Sequence, residues 1–237
     1  MSKPWQVARR LLYQNRWLYL LLMLWPVGLA VLFLLPASSP DRGDVLLILH
    51  QECLYGLALV VFSGSVQLGN EQRSRRIVGV LSRSVSRREY LLALLCSAWL
   101  PLVPYTASLV LGTVLLTAQM HHSFAGIVAM ALTLLFLGLW TAAVSLFFAV
   151  WLPSFLASTA TLALISGIAL LGEAWSGFGP GRMFGALLGM GPGAGLLMDA
   201  GYLWRGWDWL AVSVCAVFFF AAAAAIFERR DLRLKGD

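Results

Sequence analysis

Residues 124–151, FAGIVAMALTLLFLGLWTAAVSLFFAVW, run for 28 positions without one charged side chain. Wound as an α-helix, such a stretch rises about 42 Å, more than the roughly 30 Å of a bilayer's hydrocarbon core. Outward from it, uncharged apolar runs recur at 17–35, 90–116, 154–172 and 209–227, and a sixth run at 46–68 holds a single carboxylate, Glu52. Composition agrees with this reading: of 237 residues 60% are hydrophobic and 12% charged, and the mean hydropathy is +0.81. A soluble domain carries about 25% charged residues, so this chain has too little polar surface to face water. The expected fold is therefore all-α: a polytopic membrane protein of six transmembrane helices, forming one transmembrane domain over 1–237. Period-two alternation is absent, which argues against a barrel. The length is taken up by spans and short connections, leaving no room for a separate soluble catalytic domain. The first run is followed by Leu34, Leu35 and Pro36 rather than by small residues, and reads as a retained span rather than a cleaved leader. Cys53, Cys96 and Cys215 all fall in apolar stretches and read as packing residues rather than redox or metal ligands.

Charge gives the orientation. Lys3, Arg9, Arg10 and Arg16 precede the first run, Arg73, Arg75, Arg76, Arg83, Arg87 and Arg88 separate the second and third, and Arg229, Arg230, Arg233 and Lys235 follow the sixth. With six spans these fourteen of the 17 cationic residues share one face, and only Arg42, Arg182 and Arg205 fall on the other. The positive-inside rule puts that face, with both termini, in the cytoplasm. The net charge of +6 then marks topology and attraction to anionic lipid, not nucleic-acid binding. Trp17 and Trp151 fall at inner ends, and Trp175, Trp204, Trp207 and Trp209 at outer ends, as amphipathic indoles prefer. Trp25, Trp99 and Trp140 lie deeper and read as packing residues.

Three segments are not spans. Residues 2–15, SKPWQVARRLLYQN, set Trp5, Ala8, Leu11 and Leu12 near one helical face beside Arg9 and Arg10, which fits either an interfacial helix or a merely basic flank. Residues 70–89, NEQRSRRIVGVLSRSVSRRE, combine six arginines with Ile77, Val78 and Leu81 at helical spacing. An amphipathic helix there would dock in a groove of a cytosolic protein or lie on anionic lipid, and the residues favour neither. Residues 173–206 hold ten of the 22 glycines, with the apolar pieces Met183–Met190 and Ala194–Met198 too short to span. They read as broken, re-entrant helices on the outer side, since irregular backbone at membrane depth must lie against protein or water.

Catalytic chemistry is sparse. Lysine occurs only at 3 and 235, so no phosphate-binding GxxxxGK[ST] loop is present, and neither GxSxG nor HExxH occurs. The chain is not read as an enzyme and holds no metal of its own; the neighbours His121 and His122 in an outer turn lack further ligands. In the stretch His50-Gln51-Glu52-Cys53, Glu52 is the one carboxylate well inside a run, and with Gln51 it is a candidate for the polar lining of a substrate path. A structural role is favoured, because Glu52 lies near enough to the outer face to meet headgroup water or an arginine such as Arg182 or Arg205.

The stretch Glu71–Arg87, EQRSRRIVGVLSRSVSR, resembles the signature of ABC type-2 exporter permeases, approximately E-x-E-x-G-T-(x)3-L-L-x-x-P-(V/L)-x-R, in the cytoplasmic connection after the second span. Glu71 takes the first acidic position, Val80 and Leu81 the apolar pair, and Val85, Ser86 and Arg87 the close. Arg73 stands where the second acid falls, Arg75 and Arg76 replace Gly-Thr, Ser84 replaces proline, and Leu94 stands where lysine is common. Phe227–Leu232, FERRDL, is similar to the family's exit from its last span. The resemblance, which with the six-span topology covers nearly the whole chain, implies a permease subunit of an ATP-driven exporter in a bacterial inner membrane. Its partners would be two copies of a cytosolic ATP-binding-cassette ATPase, which would hold ATP and Mg2+, a second permease, identical or homologous, and membrane lipid. Residues 70–89 would be the coupling helix, with Glu71, Arg73, Arg75, Arg76, Ile77, Val78, Leu81 and Arg87 as contacts to the ATPase. Apolar walls lean toward a hydrophobic or amphipathic substrate. The competing readings are a proton-coupled secondary carrier using Glu52, for which no internal repeat is apparent, and a non-transporting membrane scaffold.

Overall fold

Hydrocarbon offers no partner to a peptide N–H or C=O, so apolar sequence in it must wind into helix. In a computed structural model that describes residues 16–34, 42–73, 86–117, 124–174, 179–187 and 206–229, with Trp5, Ala8, Arg9, Leu12 and Tyr13 before them, nearly every described residue is helical and none is in a strand. The helices are α1 (Arg16–Leu34), α2 (Arg42–Arg73), α3 (Arg87–Trp99), α4 (Leu102–Thr117), α5 (Phe124–Trp151), α6 (Ser154–Ala174), α7 (Gly179–Leu187) and α8 (Gly206–Arg229). Four segments are long and apolar enough to cross a membrane: Gly43–Asn70, Arg87–Thr117, Phe124–Trp151 and Trp207–Arg229. Tyr19–Phe33 and Ser154–Ala169 are shorter apolar helices at the first and fifth runs. The chain is a helical membrane protein.

The third run differs from a single straight helix. Pro101 and Pro104 remove two amides from the ladder, and the backbone turns the corner with Val103 N bonded to Leu100 O at 3.1 Å and Tyr105 N to Pro101 O at 3.3 Å. α3 and α4 are the two halves of this bent segment.

Side-chain pairings fix how the helices run. Gln67 and Glu52 of α2 meet Ser97 of α3 and Tyr105 of α4, so α2 is antiparallel to the bent segment. Ser65 meets Ser158, and Gly69 faces Ser154, so α2 is antiparallel to α6 as well. Phe136 stacks on Trp209 and Phe147 meets Phe219 edge-on, which sets α5 and α8 parallel. One end of the bundle thereby gathers Arg73, Arg87 and Arg229 at helix ends, with Trp151 and Ser154; the other gathers Arg42, Thr117, Phe124 and Gly206. α5 is the central helix, in contact with α2, α3, α4, α6, α7 and α8.

Lipid tails are as apolar as leucine, so close packing and hydrogen bonds hold the helices together in place of water exclusion. α2 presents small residues to its neighbours. Gly64 lies so near α5 that a Cβ there would stand 2.9 Å from Ser145 Oγ. Ser145 and Ser65 both donate to Val61 O at 2.9 Å, and the Ser65 and Ser158 hydroxyls lie 2.6 Å apart. On the other side, Gly112 of α4 lets the Pro26 carbonyl of α1 approach, 3.0 Å from where a Cβ would be. The buried threonines Thr106, Thr113, Thr117, Thr133 and Thr161 each return their hydroxyl to the carbonyl four residues back, which hides a polar group from the bilayer.

Within 173–206, the segment expected to hold re-entrant helices, the described part forms one short helix, α7. Met183, Phe184 and Leu187 are fully buried, and the Phe184 ring meets Trp140 edge-on at 5.2 Å, near the middle of α5. Residues 188–205, including the second apolar piece, lie outside the described residues. So do His121, His122, Trp175 and Trp204. Of 2–15, the five described residues are helical, with Ala8 buried and Trp5 and Tyr13 exposed. Trp17, Trp151 and Trp207 sit exposed at helix ends, while Trp140 is buried and Trp99 donates its indole N–H to Leu135 O at 3.0 Å.

Candidate functional site

Two places concentrate polar chemistry. At the arginine-rich end, Ser86 caps α3 in a capping box: its hydroxyl accepts from Glu89 N at 3.2 Å, and the Glu89 carboxylate accepts from Ser86 N at 2.9 Å. The cap aims the next two residues at the end of α8. Arg87 Nη1 donates to the carbonyls of Phe227 and Glu228 at 3.1 and 2.7 Å, in the last described turn of α8. Arg88 grips the Glu228 carboxylate with Nε at 2.6 Å and Nη2 at 3.1 Å. That fork is exposed to solvent and orients the two ends more than it stabilises them. Residues 86–88 and 227–229, far apart in the chain, thus form one clasp.

The clasp locates the expected coupling residues. Glu71 and Arg73 lie in the last turn of α2, and their side chains fall outside the described residues; Arg75, Arg76, Ile77, Val78 and Leu81 fall outside them altogether. Arg87 is described, and it is engaged with α8. Nothing in the apolar periodicity points to that bond, although an arginine at the first position after a helix cap is a ready donor.

The second place is around Glu52, about 15 Å along α2 from Arg42. Its side chain is 1% exposed. Tyr105 of α4 donates its hydroxyl to Glu52 Oε2 at 2.7 Å and lies 2.8 Å from the Glu52 backbone carbonyl. The tyrosine ring reaches that position because Gly56, one turn on, has no side chain: a Cβ there would stand 3.0 Å from Tyr105 Cε1. Trp25 of α1 approaches the same carboxyl and is itself 47% exposed, so it forms the outer cover. Among the described residues Glu52 Oε1 has no hydrogen-bond partner. The carboxyl is buried between helices rather than open to headgroup water, and the side chains of Arg182 and Arg205 lie outside the described residues. Gln51 is exposed on α2 and does not share the Glu52 pocket.

Nearer the arginine-rich end Gln67 repeats the pattern with neutral groups. Ser97 donates to Gln67 Oε1 at 2.6 Å, and Gln67 Nε2 lies 3.5 Å from the Tyr19 hydroxyl of α1. α2 therefore carries two polar links to the bent third segment, one to each half. Among known proteins, no family model, no curated protein and no solved structure matches the chain.

Proposed function

We propose that the chain is the membrane permease of an ABC type-2 exporter, with six spans, both termini cytoplasmic and α7 re-entrant from the outer side. In this reading it moves a hydrophobic or amphipathic substrate across a bacterial inner membrane. It pairs with a second permease, identical or homologous, and two copies of a cytosolic ATPase that binds ATP and Mg2+ supply the work. The observation that carries the reading is the clasp. Parts of the two stretches that resemble the family, Ser86–Arg87 and Phe227–Arg229, stand side by side at the arginine-rich end of the bundle. The connection from Arg73 to Ser86 starts and finishes there, which is where a cytosolic partner would seat it. A push on that connection would reach α3 directly and α8 through Arg87, biasing the bundle between two arrangements.

The test is gentle solubilisation of the tagged chain from its native membrane, native mass spectrometry of what stays bound, and ATPase activity of the complex. A soluble ATPase in a two-plus-two assembly is the expected result, and Arg75→Glu with Arg76→Glu is expected to break it. An assembly and activity that survive that double change remove the coupling assignment. A chain that emerges without any soluble partner, even after crosslinking, removes the exporter reading itself.

A further inference from the structure

The Glu52 pocket has no task in the exporter reading, and its geometry is that of a carboxylic acid more than of a paired carboxylate. An isolated charge among apolar helices is costly, and such groups are tolerated when a counter-ion, a set of donors or a bound ligand compensates them. Here Oε2 accepts from Tyr105, Trp25 approaches the carboxyl, and among the described residues Oε1 has no hydrogen-bond partner and no cation is paired with the group. The described groups set against it are Tyr105 from α4, Trp25 from α1 and Cys53 beside it on α2, with His50 half a turn away; none of them is a fixed positive charge.

The missing partner is small. At 1% exposure the side chain leaves no space for a polyatomic ligand. A metal cation needs several oxygen or nitrogen ligands, and among the described residues no three acidic, histidine or cysteine side chains gather. What fits on Oε1 without moving a neighbour is a proton. One oxygen acting as a carbonyl acceptor and the other free to carry hydrogen is also the asymmetry that a neutral carboxyl presents. Its cover is a single indole at the bundle surface, Trp25.

We propose that Glu52 is a proton-binding site within the membrane, which takes up and releases one proton at Oε1 beneath Trp25. Uptake forms the Oε1–H bond and removes the carboxylate charge; release returns the proton to water and leaves a charge held by the Tyr105 hydroxyl. The site stands independently of the exporter reading, because it requires no ATPase and no property of residues 70–89.

Infrared difference spectroscopy of the full chain in lipid nanodiscs tests it. The spectrum of the natural chain minus that of Glu52→Gln is expected to contain a protonated-carboxyl C=O band above the amide I region. That band is expected to shift downward in D2O, because the proton exchanges, and upward in Tyr105→Phe, because the carbonyl loses its donor. Tyr105→Phe reads the same carbonyl should Glu52→Gln fail to fold. Carboxylate bands alone at acidic and alkaline pH overturn the proposal. So does a C=O band that D2O leaves unmoved over hours, which marks a sealed structural acid. Loss of an ATPase partner from the preparation leaves both signatures unchanged.

Discussion

Replacing Arg87 by alanine isolates what the clasp does. The guanidinium supplies one nitrogen to two carbonyls at the end of α8, at 3.1 and 2.7 Å. A hydrogen bond involving a charged group is worth about 1.5–3 kcal/mol, and a cation at an exposed helix C-terminus about 0.3–1 kcal/mol. Because a single half-exposed nitrogen serves both carbonyls, we take about 1.5–2 kcal/mol for the arrangement as a whole. At about 1.4 kcal/mol per tenfold, fraying of the last turn of α8 becomes roughly ten- to thirty-fold more frequent. The readout is hydrogen–deuterium exchange of the amides of Phe227, Glu228 and Arg229 in the intact chain. Their protection is expected to fall by about that factor in Arg87→Ala and by no more than about twofold in Arg88→Ala, whose partner carboxylate lies in solvent. Unchanged protection in Arg87→Ala, or an equal loss in Arg88→Ala, refutes the assignment of the end of α8 to Arg87.

Gly64→Ala is expected to destabilise the bundle by about 1–3 kcal/mol in an unfolding titration in mixed micelles, since the new Cβ meets Ser145 Oγ and Cβ at 2.9 and 3.1 Å. Ser145→Gly in the same chain is expected to restore at least half of that, and a neutral Gly64→Ala shows that α2 and α5 are not so close. For sidedness, Asp44 and Pro153 are exposed at opposite ends of the bundle. With Cys53, Cys96 and Cys215 replaced by alanine, a membrane-impermeant maleimide on intact cells is expected to label Asp44→Cys and to spare Pro153→Cys until lysis; the converse pattern inverts the orientation.

Much of the helical layout was legible, because a run of uncharged residues in hydrocarbon has one way to satisfy its backbone. The expected 124–151 and 154–172 became Phe124–Trp151 and Ser154–Ala174, and 209–227 grew only to Gly206–Arg229. The bend after Trp99 was also present in the letters, as Pro101 and Pro104 within an apolar run, and hydropathy alone passes over it. The Glu52 pocket was half legible: a lone carboxylate in a span announces a polar site, but its partners sit on α1 and α4, and no periodicity within α2 names them. The seam of Gly64, Ser65 and Gly69 was hidden for a related reason. Small residues look featureless in a hydropathy profile, and their meaning appears only when a second backbone lies against them. Arg87 shows the opposite difficulty. In a block of arginines it reads as one more surface charge, and only the meeting of two distant helix ends gives it a separate task.

The corner between α3 and α4 has a mechanical consequence. Below it, the third segment is fastened to the arginine-rich end by the clasp and to α2 by Ser97 and Gln67; above it, Tyr105 and Gly112 fasten it to Glu52 and to α1. Flexing a continuous helix breaks a ladder rung wherever it bends, whereas here the rungs that the amides of residues 101 and 104 would have made are already absent. Strain entering at either end is therefore spent at one fixed depth. The segment behaves as a rod with a built-in joint, stiff in each arm and compliant between them.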